Sequence, residues 1–199
     1  YPGILRTEST LELSRKGLGL ITATPEIDGV TRRIPLVVNV QSKLYPAFAL
    51  ELLRLAVSDP SYQLKTTQEG IEWIRVPSYP LMSTDANARI FLDWNTNFYK
   101  QSGLEFLTNP IDAPFVIFGV TAEGVVNPTP TPAGLKYPHE IQANILHNLI
   151  NGTAPSTPTW ANGSELLGAV LAISIVAVTV SYIWASLPTL IILITGLIF

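Results

Sequence analysis

Two histidines are the residues whose spacing most directly suggests metal or acid–base chemistry. His139 and His147 are eight positions apart within a segment of helical periodicity. On a helix this separation is about two turns, so the imidazoles are too far apart to bind one metal ion without a third element. The sequence also lacks the closer His/Glu spacing of zinc proteases. Both histidines are interpreted as polar residues on a helix surface, and no metal site is predicted.

Thr121 and Glu123 follow the apolar run at residues 115–118, which is rich in β-forming residues. Such a run is typical of a strand that is buried on both faces. Ligands of open α/β sheets bind at the edge where strands end, so these two side chains are candidates for ligand binding. The alternative is that both are solvated residues at the end of a strand. The sequence leaves both interpretations open.

A polar segment at residues 83–89 offers a second group of oxygen ligands. Asp85 and Asn87 could bind a cation, but the calcium-loop pattern requires further acidic positions and a distal Glu, which the segment lacks. The pattern therefore favours a plain turn that leads into a strand at residues 90–94. Gly119 and Gly124 do not have the spacing of a phosphate-binding loop. No catalytic constellation and no cofactor are predicted.

The composition excludes further classes of function. The chain has 12 basic and 15 acidic side chains, a formal net charge of −3, and no cluster of basic residues. A nucleic-acid-binding protein would need such a cluster, so nucleic acid is not expected as a partner. The chain has no cysteine, which excludes disulfides, thiolate nucleophiles and cysteine-based metal sites.

The elements that must position these residues follow from periodicity and turn signals. Strands are predicted at residues 17–24 and 32–40, joined into a hairpin by the turn at Asp28 and Gly29. A helix is predicted at residues 45–57 with Pro46 in its first turn, ended at residues 58–60, and a strand at residues 71–76.

The segment that follows residue 94 is predicted to be more irregular. Residues 95–112 are expected to form a loop, and the prolines of residues 124–136 are expected to hold an extended loop that is neither strand nor helix. A helix is predicted at residues 138–150, because Pro138 suits a first turn and Gly152 suits a helix end.

The C-terminal part of the sequence is predicted to enter a membrane. Every charged side chain lies between residues 6 and 165. Residues 166–185 carry no charge, and 20 helical residues span roughly 30 Å, the thickness of the hydrocarbon core of a bilayer. Trp160, Tyr182 and Trp184 flank this segment as interfacial aromatics do. A short break at residues 186–188 and a second apolar segment predict a helical hairpin in the bilayer.

Five segments occur in an order that is typical of one protein family. They are residues 28–36 (DGVTRRIPL), 44–52 (LYPAFALEL), 119–124 (GVTAEG), 131–134 (TPAG) and 137–144 (YPHEIQAN). Through them the chain resembles, over residues 17–152, the CHASE type 2 family of extracellular sensory domains of bacterial receptors. Many members carry His where this chain has Gln142, so no role of that imidazole is carried over.

The resemblance implies an α/β soluble sensory domain, present in part, followed by transmembrane α-helices. The expected organisation is a sensory domain at residues 1–152, a linker rich in proline and threonine at 153–164, a transmembrane helix at 165–185 and a truncated second one at 188–199. No signal peptide opens the sequence, so a fragment is expected. Positions beside strand ends, together with the resemblance, give six candidate ligand-binding residues: Thr121, Glu123, Asn127, Tyr137, Asp85 and Arg89.

The function implied is that of a sensory input module, and this fragment is not expected to be an enzyme. The module would lie outside the cytoplasm, anchored in the bacterial inner membrane, and would sense a small molecule or an environmental condition. A cytoplasmic output domain would follow, such as a nucleotide cyclase, a histidine kinase, a Ser/Thr kinase or a diguanylate cyclase. Membrane lipid and a second copy in a homodimer are the other expected partners. The alternatives are a membrane-anchored extracytoplasmic enzyme and a scaffold protein.

Overall fold

The computed structural model describes residue 3 and residues 13–58, 61–68, 70–156 and 160–198. The chain divides into two units, Tyr1–Ser156 and Thr157–Phe199. The first unit mixes short strands with helices, and the second contains one long helix. A mixed helix-and-sheet domain followed by an apolar helix is therefore the architecture, as the sequence predicts.

Nine short strands and four helices are defined in the described residues. The strands are β1 Arg33–Pro35, β2 Val37–Val40, β3 Lys43–Pro46, β4 Gln63–Thr67, β5 Gly70–Arg75, β6 Met82–Ser83, β7 Arg89–Phe91, β8 Thr129–Thr131 and β9 Gly134–Lys136. The helices are α1 Phe48–Ala56, α2 Gly103–Thr108, α3 Pro138–Asn151 and α4 Ala161–Ile198. These strands pair antiparallel, as β1 with β7, β2 with β3, β4 with β5 and β6, and β8 with β9.

The core of the first unit lies between α1, α3 and the inner faces of the short sheets. In α1, Leu50 and Leu53 are three residues apart, and in α3, Ile141 and Ile145 are four apart, so each pair faces the core on one helix side. Each such side chain contributes about 1.5–3 kcal/mol through burial. The strands supply the remaining fully buried residues, among them Ile34, Leu36, Ile74, Met82 and Ile90.

Helix α3 confirms the helix predicted at residues 138–150. Pro138 occupies its first turn, and Gly152 ends it in the left-handed conformation at φ 67°. At its start, the side chain of Glu140 accepts a hydrogen bond from the backbone N–H of Tyr137 at 2.7 Å. This satisfies a donor that the helix itself leaves unpaired.

The hairpin predicted over residues 17–40 is wrong. Residues 17–24 form no strand beyond a single parallel bridge, in which the N–H of Leu20 donates to the carbonyl of Pro46 at 2.8 Å. The second predicted strand is divided at Leu36 into β1 and β2, which pair with β7 and β3. Pro35 has no N–H to donate, and Leu36, which is fully buried, donates to the carbonyl of Ala88 instead.

Three further boundaries differ from those predicted. Helix α1 begins at Phe48, because Pro46 belongs to β3. Residues 124–136 are not a plain extended loop, since β8 and β9 form a hairpin in which Pro130 lies opposite Leu135. A two-stranded ribbon has open edges, so a proline there disrupts no central ladder. Residues 95–112 contain α2, which Ser102 caps by accepting from the N–H of Glu105 at 3.2 Å.

The strand predicted at residues 115–118, buried on both faces, is not formed. These residues belong to no sheet, and the side chains of Val116 and Phe118 are 42% and 67% exposed. Phe115 and Ile117 pack against the core. One face of the segment is therefore buried and the other is not.

Helix α4 is the apolar helix that the sequence predicts. Residues Gly163–Trp184 are long and apolar enough to cross a membrane, with a mean hydropathy of 2.4 and no buried residue in the most apolar window of this span. The break predicted at residues 186–188 is wrong, because α4 continues through Pro188 to Ile198. Proline removes one backbone donor, whereas a break would unpair several backbone groups in an apolar sequence.

Some sequence predictions fall on residues that the structure does not describe. The first 12 residues apart from Gly3, the predicted helix stop at Asp59 and Pro60, the linker residues 157–159 and the terminal Phe199 lie outside the described residues. The predicted linker begins at Thr153, and α4 has already begun at Ala161.

Candidate functional site

Six charged side chains form a continuous chain of ion pairs beside β1 and β7. Arg32 contacts Asp28 at 2.7 Å and Glu26 at 3.2 Å. Glu26 also contacts Arg33 at 2.8 Å. The chain continues from Arg33 to Asp85 at 3.5 Å and ends with the 2.8 Å contact between Asp85 and Arg89. Acids and bases alternate along the whole chain, so each inner charge is neutralised on two sides.

Local backbone structure places Asp85 and Arg89 at this site. Asp85 accepts hydrogen bonds through Oδ1 from the N–H groups of Asn87 and Arg89, both at 2.9 Å. Its Oδ2 accepts from Nε of Arg89 at 2.8 Å. An Asp side chain that bonds the backbone two residues later is typical of a turn. The segment is therefore the plain turn that the sequence favours, and it orients a carboxylate and a guanidinium next to β7.

The ion pairs change the acid–base behaviour of the loop that faces these strands. The hydrogen bond from Arg33 is the main cause that lowers the pKa of Glu26 below its ordinary value. The hydrogen bond from Arg32 is the main cause that lowers the pKa of Asp28, and the same bond raises the pKa of Arg32. All three groups are thus held in their charged forms at neutral pH.

An open groove runs over this network. It has a volume of about 540 Å³ and is lined by Pro25, Glu26, Ile27, Asp28, Arg33 and Arg89. Ile27 is fully exposed, and the guanidinium of Arg33 lies 5.1 Å from the ring centre of Phe91. The groove thus combines two arginines, two carboxylates and an unpaired apolar side chain. Such a surface can bind a small polar molecule.

The structure brings together two of the six predicted site residues, Asp85 and Arg89. Thr121, Glu123 and Asn127 are exposed in the segment before β8. In the described part of the chain, no hydrogen bond or ion pair joins those three side chains to the groove. The parallel sheet edge that suggested Thr121 and Glu123 is not seen among the described strands, which pair antiparallel.

Tyr137, the sixth predicted residue, has a structural position at the start of α3. Its ring stacks on the imidazole of His139, with centroids 5.9 Å apart and planes inclined by 17°. The same turn holds Glu140, which forms an ion pair with Lys100. Burial raises the pKa of Glu140, but the hydrogen bonds from Lys100 and from the Tyr137 backbone lower it more, so the net shift is downward.

Sequence reasoning missed a row of buried amides on α3. Gln142, Asn144 and Asn148 are 3%, 2% and 0% exposed. Oε1 of Gln142 accepts from the N–H of Ala49 at 3.1 Å, which ties α3 to the first turn of α1. The available signal was that three amides fall among the apolar positions of one helix. A buried amide needs partners, so each was a candidate contact to another element.

Asn148 connects α3 to the chain that leaves β7. Its Oδ1 accepts from the N–H of Asp93 at 2.9 Å, and its Nδ2 donates to the carbonyl of Asp93 at 3.2 Å. Arg89 opens β7 at the groove, and Asp93 lies two residues beyond the end of β7. Two hydrogen bonds therefore connect the segment that follows β7 to α3.

The described residues contain neither a candidate metal site nor a cluster of unpaired buried polar atoms. No group of three or more His, Cys, Asp or Glu side chains that could hold a metal ion occurs there. Buried polar atoms without a partner in the described part include Oγ1 of Thr31, Nε1 of Trp94 and Oδ1 of Asn144. They lie in different parts of the domain, and none of their residues lines the groove.

Comparison with protein-family models gives a match. The family model described as "CHASE2 domain" matches residues 4–179. Neither the curated proteins nor the solved structures contain a match. The matched range includes the groove, helices α1 and α3, and the first part of α4.

Proposed function

The chain belongs to the CHASE2 domain family, and on this basis we propose that it is the sensory input module of a bacterial transmembrane receptor. CHASE2 domains are extracellular sensory domains without catalytic activity. We place the first unit outside the cytoplasm and α4 in the inner membrane. The output domain would be a nucleotide cyclase, a histidine kinase, a Ser/Thr kinase or a diguanylate cyclase.

One observation supports this proposal above the others: a domain of a sensory family leads directly into an apolar helix. Helix α3 ends at Asn151 and α4 begins at Ala161, so a short segment joins the last helix of the domain to the candidate membrane span. A stimulus that changes the position of α3 would act on α4 through this segment. A freely tethered enzyme would need no such link between its core and its anchor.

We assign the stimulus site to the groove over the ion-pair chain. A small molecule with a carboxylate or another anionic group would compete with Asp85 and Glu26 for the guanidinium groups of Arg33 and Arg89. Breaking those pairs frees Arg89 at the start of β7, and the two hydrogen bonds of Asn148 carry the change to α3. The ligand shifts the receptor only by binding two conformations with different affinities.

Sidedness can be tested because the natural chain has no cysteine. A single cysteine is introduced at the exposed position Ala122, and intact cells with a permeabilised outer membrane are treated with a membrane-impermeant maleimide. We expect full labelling before lysis. Labelling that requires lysis would place the domain in the cytoplasm and overturn the proposal.

The stimulus site can be tested by a thermal-shift screen on the full chain in detergent. A panel of small carboxylates is compared on the natural chain and on Arg89→Gln. We expect a compound that raises the Tm of the natural chain and loses at least tenfold in affinity on Arg89→Gln. Thr121→Ala and Glu123→Ala serve as matched variants outside the groove. A loss confined to those two variants would move the site to the segment before β8.

A further inference from the structure

Residues 115–120 have the side-chain pattern of a β-strand but no strand beside them. No turn or bend interrupts residues 115–122. Exposure alternates at first, since Phe115 and Ile117 are half-buried while Val116 and Phe118 are 42% and 67% exposed. Val120 is 54% exposed. Successive side chains of a strand point to opposite faces, so the segment already presents one face to the core and one outward. We call residues 115–120 the open edge.

The open edge lacks the backbone partners that a strand normally has. Among the described residues, no backbone–backbone hydrogen bond involves residues 113–121. Its N–H and C=O groups are therefore free to pair with an added strand. Such rows of free groups are templates for strand addition.

Three contacts hold the open edge in place before any partner binds. Gly119 lies so close to the imidazole of His139 that a Cβ at that position would overlap the ring. The ring of Phe118 packs edge-to-face on Phe106 of α2, with centroids 5.2 Å apart. Phe115 and Ile117 pack against the core. A segment fixed in this way loses little entropy when a strand is added.

The charges around the open edge indicate what can bind there. Residues 101–135 contain three acids, Glu105, Asp112 and Glu123, and the two lysines that flank this range, Lys100 and Lys136, both act on Glu140. Asp112 and Glu123 bracket the apolar residues of the edge. In an antiparallel pair of two copies centred on the edge, Asp112 of one copy would lie opposite Glu123 of the other, and such like-charge pairs are destabilising. An anionic bilayer would meet the same repulsion.

We propose that the open edge docks an apolar β-strand of a partner protein, with lysine or arginine at the ends of that strand. The added strand would pair with the free backbone groups, cover Val116, Phe118 and Val120, and place its basic ends against Asp112 and Glu123. This surface shares no residue with the lining of the groove, so the inference stands independently of the proposed stimulus site.

The proposal can be tested with synthetic peptides on the full chain in nanodiscs of neutral lipid. The probe has five alternating valine and threonine residues between two lysine pairs. Its controls are the same core between glutamate pairs, and the lysine-flanked core with N-methylated alternate amides, which cannot complete a ladder. We expect the lysine-flanked probe to bind at least about tenfold more tightly than the glutamate-flanked one, because attraction at Asp112 and Glu123 replaces repulsion at both. We also expect N-methylation to abolish binding.

Matched variants of the protein locate the binding. Val116→Lys, on the open edge, should abolish binding of the lysine-flanked probe, whereas Leu135→Lys, an equally apolar exposed position on β9, should leave it unchanged. The double variant Asp112→Asn/Glu123→Gln should reduce the preference for lysine flanks to less than threefold. Thermal unfolding of each variant without peptide serves as the folding control.

Several results would overturn the proposal. They are the absence of saturable probe binding, equal binding of the N-methylated peptide, and equal loss of binding in Leu135→Lys. Sedimentation as a dimer that Val116→Lys converts to a monomer would instead identify a second copy as the occupant. Flotation of the domain with anionic vesicles, lost in Val116→Lys, would identify the bilayer.

Discussion

The substitution Gln142→Met tests whether a side chain of α3 supplies the hydrogen-bond acceptor that an N–H group in the first turn of α1 needs. Helix α1 has Ala47 at its N-cap position, and an alanine side chain cannot accept a hydrogen bond. The first N–H groups of a helix have no partner within the helix. Here the N–H of Phe48 donates to the carbonyl of Leu20 at 2.8 Å, and that of Ala49 donates to Oε1 of Gln142 at 3.1 Å. A side chain 93 positions away thus replaces a local cap.

The expected effect follows from the burial of both partners. Ala49 is 0% exposed and Gln142 is 3% exposed, so water cannot replace the lost acceptor. Methionine has nearly the same shape as glutamine but no amide oxygen, so the N–H of Ala49 remains buried and unpaired. Leaving a buried donor unpaired costs about 1–3 kcal/mol of unfolding free energy. For a domain of this size, a loss of about 2 kcal/mol lowers Tm by about 4–8 °C.

Two measurements on the full chain in detergent check this expectation. Thermal unfolding gives the change in Tm, and hydrogen exchange followed by NMR should show faster exchange at the amide of Ala49. The control is Gln63→Met, the same substitution at an exposed residue whose Oε1 accepts from Arg75 at 2.7 Å, where a change below about 0.5 kcal/mol is expected. Equal Tm values for the two variants, with unchanged exchange at Ala49, would refute the reasoning.

Three further substitutions test other contacts of α3. Gly152→Ala should lower stability by about 1 kcal/mol or more in thermal unfolding, because the position has φ 67° and an added Cβ would crowd a proline. Gly119→Ala should destabilise by about 1–3 kcal/mol through overlap with His139, and adding His139→Ala should recover most of that loss in a double-mutant cycle. Glu140 has a lowered pKa in the folded state, so its stabilising effect is present above its ordinary pKa and is lost as the pH falls through the folded value. Glu140→Gln should therefore reduce the decline of Tm between pH 6 and pH 3, and an unchanged decline would contradict the assignment.

Local patterns in the sequence were sufficient to predict several helices and turns and two residues of the candidate site. Pro138 and Gly152 mark the ends of α3 because their backbone preferences act within one turn of the helix. The turn at residues 85–89 was recognisable for the same reason, since Asp85 bonds its own neighbours. The apolar helix was predicted from composition, because a long uncharged segment has the same preference for lipid whatever else it contacts.

The sequence could not predict which strands pair or which buried amides connect the elements. Residues 17–24 and 115–118 both have strand composition, yet a strand forms only where another segment supplies a ladder partner. In the same way, Asp85 and Arg89 could be predicted as neighbours of each other but not of Arg33 and Glu26, which pairing of β1 with β7 brings beside them.

The sequence by itself therefore determined the partition of this protein into a charged domain and an apolar helix, the family to which it belongs, and the elements whose signals are local. Only the tertiary structure decided the strand pairing, the groove over the ion-pair chain, the amide contacts of α3 and the open edge. The physical reason is the distance along the sequence over which each kind of interaction acts. Capping, turn and hydropathy preferences act between residues that are close in sequence, whereas these four features depend on contacts between segments that are distant in sequence and meet only in the folded chain.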